Sequence, residues 1–136
     1  MSDQFGVTAL APVLMVDDVA SAVAFWSDAL GFTRENEVSA ESGGLTFASV
    51  KKGSVEIMYQ SKASVIAEAP GAAADLVGHT TGLFITVPSI DDLDTIERLT
   101  SAMEVVKPRH TTFYGTTEFY IREPGGNVVG FATHTG

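Results

Sequence analysis

The 136-residue chain contains no cysteine. This absence excludes disulfide bonds, thiolate metal sites and cysteine nucleophiles together. No apolar run approaches the roughly 20 residues that a membrane-spanning helix needs. The first residues, "MSDQFGVTALAPVLMV", have no basic region before the apolar ones, so they are not typical of a secretory signal peptide. We therefore expect a cytoplasmic protein with no membrane partner.

Basic residues are scarce. The chain has 8 Lys and Arg against 17 Asp and Glu, which gives a formal net charge of −9. A surface this acidic repels nucleic acid, so we expect no nucleic-acid partner. Solubility is the simpler explanation of the charge, and attraction of a cationic ligand is the other. With 45% hydrophobic residues, the length predicts one globular domain over residues 1–136.

The order of predicted elements occurs twice. The strand "ALAPVLMV" precedes an amphipathic helix in "DDVASAVAFWSDALGF", and two strands follow around the turn "KKG". The strand "GLFITV" then precedes the helix "SIDDLDTIERLTSAM", a short strand and loop in "VVKPRHTTFYG", and the hairpin "TTEFYIREPGGNVVGFATH". This repeat predicts an α+β fold of two βαβββ modules, about 9–60 and 79–134, joined by a connector over about 61–78.

Two motifs carry a family resemblance. "VLMVDDVASAVAFWSDALGFTRE" resembles the opening strand and helix of the vicinal oxygen chelate superfamily, which includes glyoxalase I, extradiol dioxygenases and bleomycin-resistance proteins. The matching residues are Val16, Asp18, Phe25, Trp26, Leu30, Gly31 and Phe32. "YGTTEFYIREPGGNVVGFA" resembles the final hairpin of that superfamily. The resemblance implies a half-open, cleft-bearing sheet built from the two modules, often assembled as a homodimer.

The resemblance also implies a divalent metal held by His and Glu side chains on the concave face of the sheet. In this chain the corresponding positions fall on Ala11, Ile57, Gly82 and Gly130, and Glu56 lies one residue from Ile57. None of the four aligned residues can bind a metal ion. Gly130 then either leaves open space where relatives place a carboxylate, or marks a bulge or close packing of strands.

The three histidines do not replace the missing ligands. His79 alternates with apolar residues that belong under a helix, so we expect it to point away from the cavity. We expect His110 to lie in a solvated loop behind Pro108, and His134 to lie near the end of the chain. The sequence therefore predicts no metal site and no cofactor.

Strand alternation predicts which side chains face the cavity. The helix side takes Leu14, Val16, Leu83, Ile85, Val87, Phe119, Ile121, Val129 and Phe131. The concave side takes Ala11, Val13, Met15, Ile57, Tyr59, Phe84, Thr86, Glu118, Tyr120, Arg122, Val128, Gly130 and Ala132. One conflict remains, because the same alternation puts Glu56 and Met58 under the first helix. A slip of one residue would instead turn Glu56 inward.

An apolar, aromatic cavity with few polar groups suits a small organic ligand. The predicted ligand-binding residues are Met15, Tyr59, Phe84, Phe113, Tyr114, Glu118, Tyr120 and Gly130. The aromatic rings would stack on a planar ligand, and the carboxylate would pair with a cationic centre. The sequence thus favours a metal-free, homodimeric binding protein of the bleomycin-resistance kind, with a small planar or cationic organic ligand.

Two other functions remain open from the sequence. One is a glyoxalase-like or dioxygenase-like lyase or isomerase that uses an off-pattern metal, or uses Glu118, Tyr120 and His110 as acid–base groups. The other is a scaffold module with a vestigial cleft. The scaffold would fill its cavity with its own side chains.

Overall fold

The computed structural model describes residues 4–135 as two four-stranded sheets with helices. The first module contains β1 (Val13–Val16), α1 (Val19–Ala24, continued by a π-helical turn at Phe25–Ala29), β2 (Thr33–Ser39), β3 (Leu45–Lys52) and β4 (Val55–Ser61). The connector forms α2 (Lys62–Glu68) and α3 (Ala73–Val77). The second module contains β5 (Gly82–Thr86), α4 (Ile90–Leu99), β6 (Glu104–Thr111), β7 (Thr116–Arg122) and β8 (Val128–His134).

Both sheets have the same topology. The first has the order β1-β4-β3-β2 and the second the order β5-β8-β7-β6. In each sheet the strand before the helix pairs in parallel with the last strand, and the other neighbours are antiparallel. The predicted fold class of two βαβββ modules is confirmed. Among residues 4–135, every helix is too short or too polar to span a bilayer.

Local signals explain the two module helices. At the start of α1 the Asp18 carboxylate accepts a hydrogen bond from the Ser21 amide at 3.2 Å. At the start of α4 the Ser89 hydroxyl accepts one from the Asp92 amide at 3.2 Å. These bonds satisfy amide groups that a helix leaves unpaired at its first turn. The apolar face of α1 is buried at Val19, Ala22, Val23 and Trp26.

One hydrophobic core extends through both modules and includes Leu14, Trp26, Tyr59, Phe119 and Phe131. The helices cover the face of each sheet that supplies these residues. The burial of Phe119 and Phe131, at 3% and 1% exposure, confirms the helix side that alternation predicts for β7 and β8.

A buried polar chain connects the modules. The Trp26 indole donates to the Tyr59 hydroxyl at 2.8 Å, and this hydroxyl donates to Glu123 Oε2 at 2.7 Å. The Asn127 backbone amide donates to Glu123 Oε1 at 2.7 Å, and the Thr81 backbone amide donates to Asn127 Oδ1 at 2.8 Å. Burial, together with the Glu123 carboxylate, raises the pKa of Tyr59 far above its ordinary value. Tyr59 is therefore a fixed donor between the two halves.

The facing predicted for β4 is wrong. In the parallel pairing of β1 with β4, Leu14 lies opposite Tyr59 and Met15 lies opposite Gln60. Because paired residues share a face, Tyr59 lies under the helices, where it is fully buried. Ile57 lies on the same side at 3% exposure. The one-residue slip therefore occurs, and it places Glu56, Met58 and Gln60 on the concave side.

The connector lies against the concave face of the first module. The Gln60 amide donates to the Ser64 hydroxyl at 2.7 Å and to Glu68 Oε2 at 3.3 Å, and both acceptors belong to α2. Val65 of α2 is 2% exposed, and α2 contacts both β1 and β4. The open concave face is consequently that of the second module.

Candidate ligand-binding cleft

A cavity of about 590 Å³ opens on the concave face of the second module, between β6, β7 and the turn that joins them. Its lining residues are Val106, Lys107, His110, Thr111, Thr112, Phe113, Tyr114, Glu118 and Tyr120. Small-molecule sites in proteins have volumes of about 300 to 1,000 Å³. The cavity is not filled by the side chains of the chain itself, which is the opposite of the expectation for a vestigial cleft.

The carboxylate of Glu118 lies at the floor of this cavity and is surrounded by donors. Its Oε2 accepts from the Thr116 hydroxyl at 2.9 Å. Its Oε1 accepts from the Tyr120 hydroxyl at 2.9 Å and from the Tyr114 hydroxyl at 3.4 Å. His110 Nε2 lies 3.5 Å from the same oxygen. The residue is only 2% exposed, so these neighbours cover it from solvent.

These contacts determine the protonation states of Glu118 and Tyr120. Burial alone would raise the pKa of Glu118, but hydrogen bonds from Thr116 and Tyr120, with the nearby His110, lower its pKa overall. The carboxylate is therefore ionised at neutral pH. Burial and the bond to this carboxylate raise the pKa of Tyr120 to about 12, so that hydroxyl keeps its proton and donates.

The ring of Tyr120 lies over Gly130 of the neighbouring strand. A Cβ atom at Gly130 would lie 2.7 Å from Tyr120 Cδ2, closer than side chains pack. The expectation of open space at Gly130 is wrong, and the alternative of close packing is confirmed. His110 stacks near Tyr120 with ring centroids 6.3 Å apart and planes at 17°. The Phe84 ring lies 6.4 Å from Tyr120 at 43°.

The location expected for His110 is also wrong. It lies within strand β6, paired with Glu118 of β7, and not in a solvated loop. Pro108 does not end the strand, because β6 is at the edge of its sheet, where a missing donor is tolerated. His110 Nδ1 lies 2.9 Å from the Pro108 carbonyl oxygen, which makes Nδ1 the donor and directs Nε2 toward the carboxylate.

Four of the eight predicted ligand-binding residues line this cavity, and they are Phe113, Tyr114, Glu118 and Tyr120. Gly130 lies beneath the Tyr120 ring. Phe84 is 55% exposed beside the cleft, and Phe113 and Tyr114 are 100% and 59% exposed at its mouth. Met15 is half-buried on the concave face of the first module, beside Gln60 and α2. Tyr59 lies in the core. The cleft is therefore formed by the second module rather than by both.

The donor set does not fit the metal that the superfamily resemblance implies. Ala11 and Gly82 offer no ligand atom, and Gly130 is covered by the Tyr120 ring. Glu56 does face the concave side, but it lines a separate groove of about 280 Å³ with Phe84. Within residues 4–135, no group of three His, Asp or Glu side chains is placed to hold a metal ion.

Comparison with known proteins agrees with the fold. A lactoylglutathione lyase from Agrobacterium tumefaciens is 19% identical over 94% of this chain and 95% of its own, with a TM-score of 0.71. TioX from Micromonospora sp. ML1 is 20% identical over 94% and 99%, with a TM-score of 0.72.

A bleomycin-binding protein from bleomycin-producing Streptomyces verticillus, in a structure with copper(II)-bleomycin, is 25% identical over 98% and 99%, with a TM-score of 0.62. A search of curated protein sequences gave no match. The model of the Glyoxalase/Bleomycin resistance protein/Dioxygenase superfamily matches residues 6–131. Because this match covers nearly the whole chain, the protein belongs to that superfamily.

Proposed function

We propose that this protein binds a small, planar, cationic organic molecule in the cleft of the second module, and that it does so without a metal. The observation that carries the proposal is the position of Tyr120. Its ring packs over Gly130, with the rings of His110 and Phe84 as neighbours, and its hydroxyl is bonded to an ionised, buried Glu118.

The rings and the carboxylate have different roles in this recognition. The faces of aromatic rings carry negative potential, and a cation over one of them gains about 0.5 to 2 kcal/mol. The oxygens of Glu118 are already occupied by Thr116, Tyr114 and Tyr120, so the carboxylate is not a direct partner of the ligand. It orients the tyrosines and adds negative charge below the rings, at a distance where the interior weakly screens it.

Two further findings support a binding protein of the antibiotic-sequestering kind. The positions that correspond to metal ligands in the superfamily hold Ala11, Ile57, Gly82 and Gly130. The Streptomyces verticillus protein, whose structure contains a bleomycin complex, matches this chain over nearly its full length. The formal net charge of −9 also suits a cationic ligand.

We further propose that the protein acts as a homodimer whose second copy covers the mouth of the cleft. Phe113 is fully exposed at the mouth, Val106 of the cavity lining is 42% exposed, and Phe84 beside the cleft is 55% exposed. Large apolar side chains grouped at one surface are typical of an interaction site. Covering them with a second chain would bury this apolar area and close the cleft around a ligand.

Calorimetric titration with a panel of planar cations tests the proposal. We expect binding of at least one cation, no comparable binding of its neutral isostere, and at least a tenfold loss of affinity in Tyr120→Ala. Phe5→Ala is the matched control, because Phe5 is an aromatic side chain 83% exposed outside the cavity lining. Failure of the whole panel to bind, or one equivalent of transition metal in protein purified without chelators, would contradict the proposal.

One observation favours a second candidate, a lyase or isomerase that uses acid–base groups. The Pro108 carbonyl holds Nδ1 of His110, so Nε2 faces the cavity beside Glu118 as a proton acceptor of defined position. Turnover of a carbonyl compound by metal-free protein, abolished in His110→Gln, would favour the enzyme over the binding protein.

A further inference from the structure

We infer that His110 makes capture of the cationic ligand depend on pH, because its protonated imidazole competes with the ligand for the charge of Glu118. This inference rests on the proposed function and concerns the regulation of the same cleft. Ligand would be held at neutral and alkaline pH and released as the solution becomes acidic.

The geometry places the imidazole where the charge of a ligand would act. His110 Nε2 lies 3.5 Å from Glu118 Oε1, and the two side chains are 24% and 3% exposed. Nδ1 is engaged by the Pro108 carbonyl oxygen at 2.9 Å. The proton that His110 gains or loses is therefore the one on Nε2, on the side of the carboxylate.

The other ionisable residues near His110 are of types that do not ordinarily change charge between about pH 5 and 8. Four of them line the same cavity, and they are Lys107 of β6, Tyr114 of the turn, and Glu118 and Tyr120 of β7. Histidine, unlike these residue types, ordinarily changes charge in that pH range. The lowered pKa of Glu118, to which His110 contributes, agrees with mutual stabilisation of the charged pair.

Arg109, which precedes His110 in β6, forms its ion pairs away from the cleft. Arg109 points to α4, where its Nη2 donates to Asp94 at 2.6 Å and to Glu97 at 3.1 Å. Its charge is thus paired on the helix side of the sheet. Protonation of His110 would therefore change the His110–Glu118 pair from negative to neutral without involving Arg109.

The size of the effect follows from linkage. If binding of one cation requires loss of one proton, the apparent affinity falls by at most about tenfold for each unit by which the pH is lowered. We expect the Kd of 10-methylacridinium, a planar ion with a permanent charge, to be about tenfold higher at pH 5.5 than at pH 8.0. The neutral 10-methylacridone should show no such ratio.

The experiment is calorimetric titration of 10-methylacridinium into the full chain at pH 5.5, 6.5, 7.3 and 8.0. Repeating it in two buffers of different ionisation enthalpy counts the protons released. His110→Gln should bring the ratio of Kd values close to one, whatever its absolute affinity. His79→Gln should keep the wild-type ratio, since His79 lies outside the cavity lining.

The outcomes separate the two proposals. Binding that is independent of pH in the wild type, or a pH ratio that survives in His110→Gln, would overturn this inference alone. No binding of 10-methylacridinium or of any other planar cation of the panel, at any pH, would overturn the proposed function and this inference together. Because the wild-type comparison of cation with neutral isostere needs no substitution, it remains decisive even if His110→Gln fails to fold.

Discussion

Tyr120 of β7 lies directly opposite Gly130 of β8, and its ring fills the space that a side chain at Gly130 would need. The glycine is therefore required by its neighbour rather than by its own backbone angles. The pair sets the height of the ring in the cleft, and with it the positions of the hydroxyl and of Glu118.

Gly130→Ala should displace the Tyr120 ring. We expect it to lower the free energy of unfolding by about 1 to 3 kcal/mol, because overpacking forces the ring out of place. It should also weaken binding of 10-methylacridinium at least tenfold. Gly82→Ala is the matched control, since a Cβ atom there meets nothing within 4 Å. Urea unfolding and calorimetry check both, and a wild-type midpoint for Gly130→Ala would refute the packing account.

Tyr59→Phe should destabilise the whole chain. The change leaves the Trp26 indole and a Glu123 oxygen buried without their partner, which costs about 2 to 4 kcal/mol. Urea unfolding followed by the fluorescence of the single tryptophan measures this. Tyr114→Phe removes the same atom from an exposed ring whose hydroxyl makes only a 3.4 Å contact. Its free energy of unfolding should therefore change by less than about 1 kcal/mol. Equal effects of the two changes would contradict the assigned role.

Glu118 should contribute a pH-dependent part of the stability. Its folded-state pKa lies below the ordinary value of 4.5, so its contribution is complete above pH 4.5 and is lost as the pH falls through the folded-state pKa. Glu118→Gln should cost about 1 to 3 kcal/mol at pH 7. The difference from wild type should shrink below about pH 4.5.

Chemical unfolding at several pH values measures that difference. Glu41→Gln, which changes an exposed carboxylate, should give a small difference that does not follow the same course. A difference for Glu118→Gln that stays constant from pH 7 to pH 3 would show that the carboxylate is not stabilised in its ionised form.

Phe113→Ser should shift the chain toward monomers, because the side chain is fully exposed at the mouth of the cleft in one copy. The free energy of unfolding at low protein concentration should stay within about 0.5 kcal/mol of wild type, as for other exposed positions. Light scattering after gel filtration gives the mass directly. Leu76→Ser, at 43% exposure on α3, should leave the mass unchanged. A wild-type protein that is already monomeric would argue against the proposed dimer.

Features with local causes were predictable from the sequence. The start of α1 depends on Asp18 and a residue three positions away, and its buried face follows the helical spacing of Val19, Val23 and Trp26. The facing of β7 likewise follows alternation, because Phe119 and Ile121 are both apolar and adjacent on one side. The duplicated order of elements then predicts the fold class.

Features with distant causes were not predictable. Tyr59 lies on the helix side of its sheet, where its hydroxyl bonds to Trp26, 33 residues away, and to Glu123, 64 residues away. Alternation alone gives no sign of either partner. The sequence predicts a loop at His110 because proline, here Pro108, breaks a central strand. Proline is tolerated in an edge strand, which is where Pro108 lies. Which strand lies at an edge depends on tertiary structure, so the pairing of His110 with Glu118 was missed.

The hydrogen bond from Tyr59 to Glu123 has a consequence for recombination. It joins a strand of the first half of the chain to the turn between the last two strands. A chimera that takes its amino-terminal half from one relative and its carboxy-terminal half from another must inherit both ends of this bond. Crossovers within 62–78 will therefore be tolerated only between parents that carry compatible residues at these two positions.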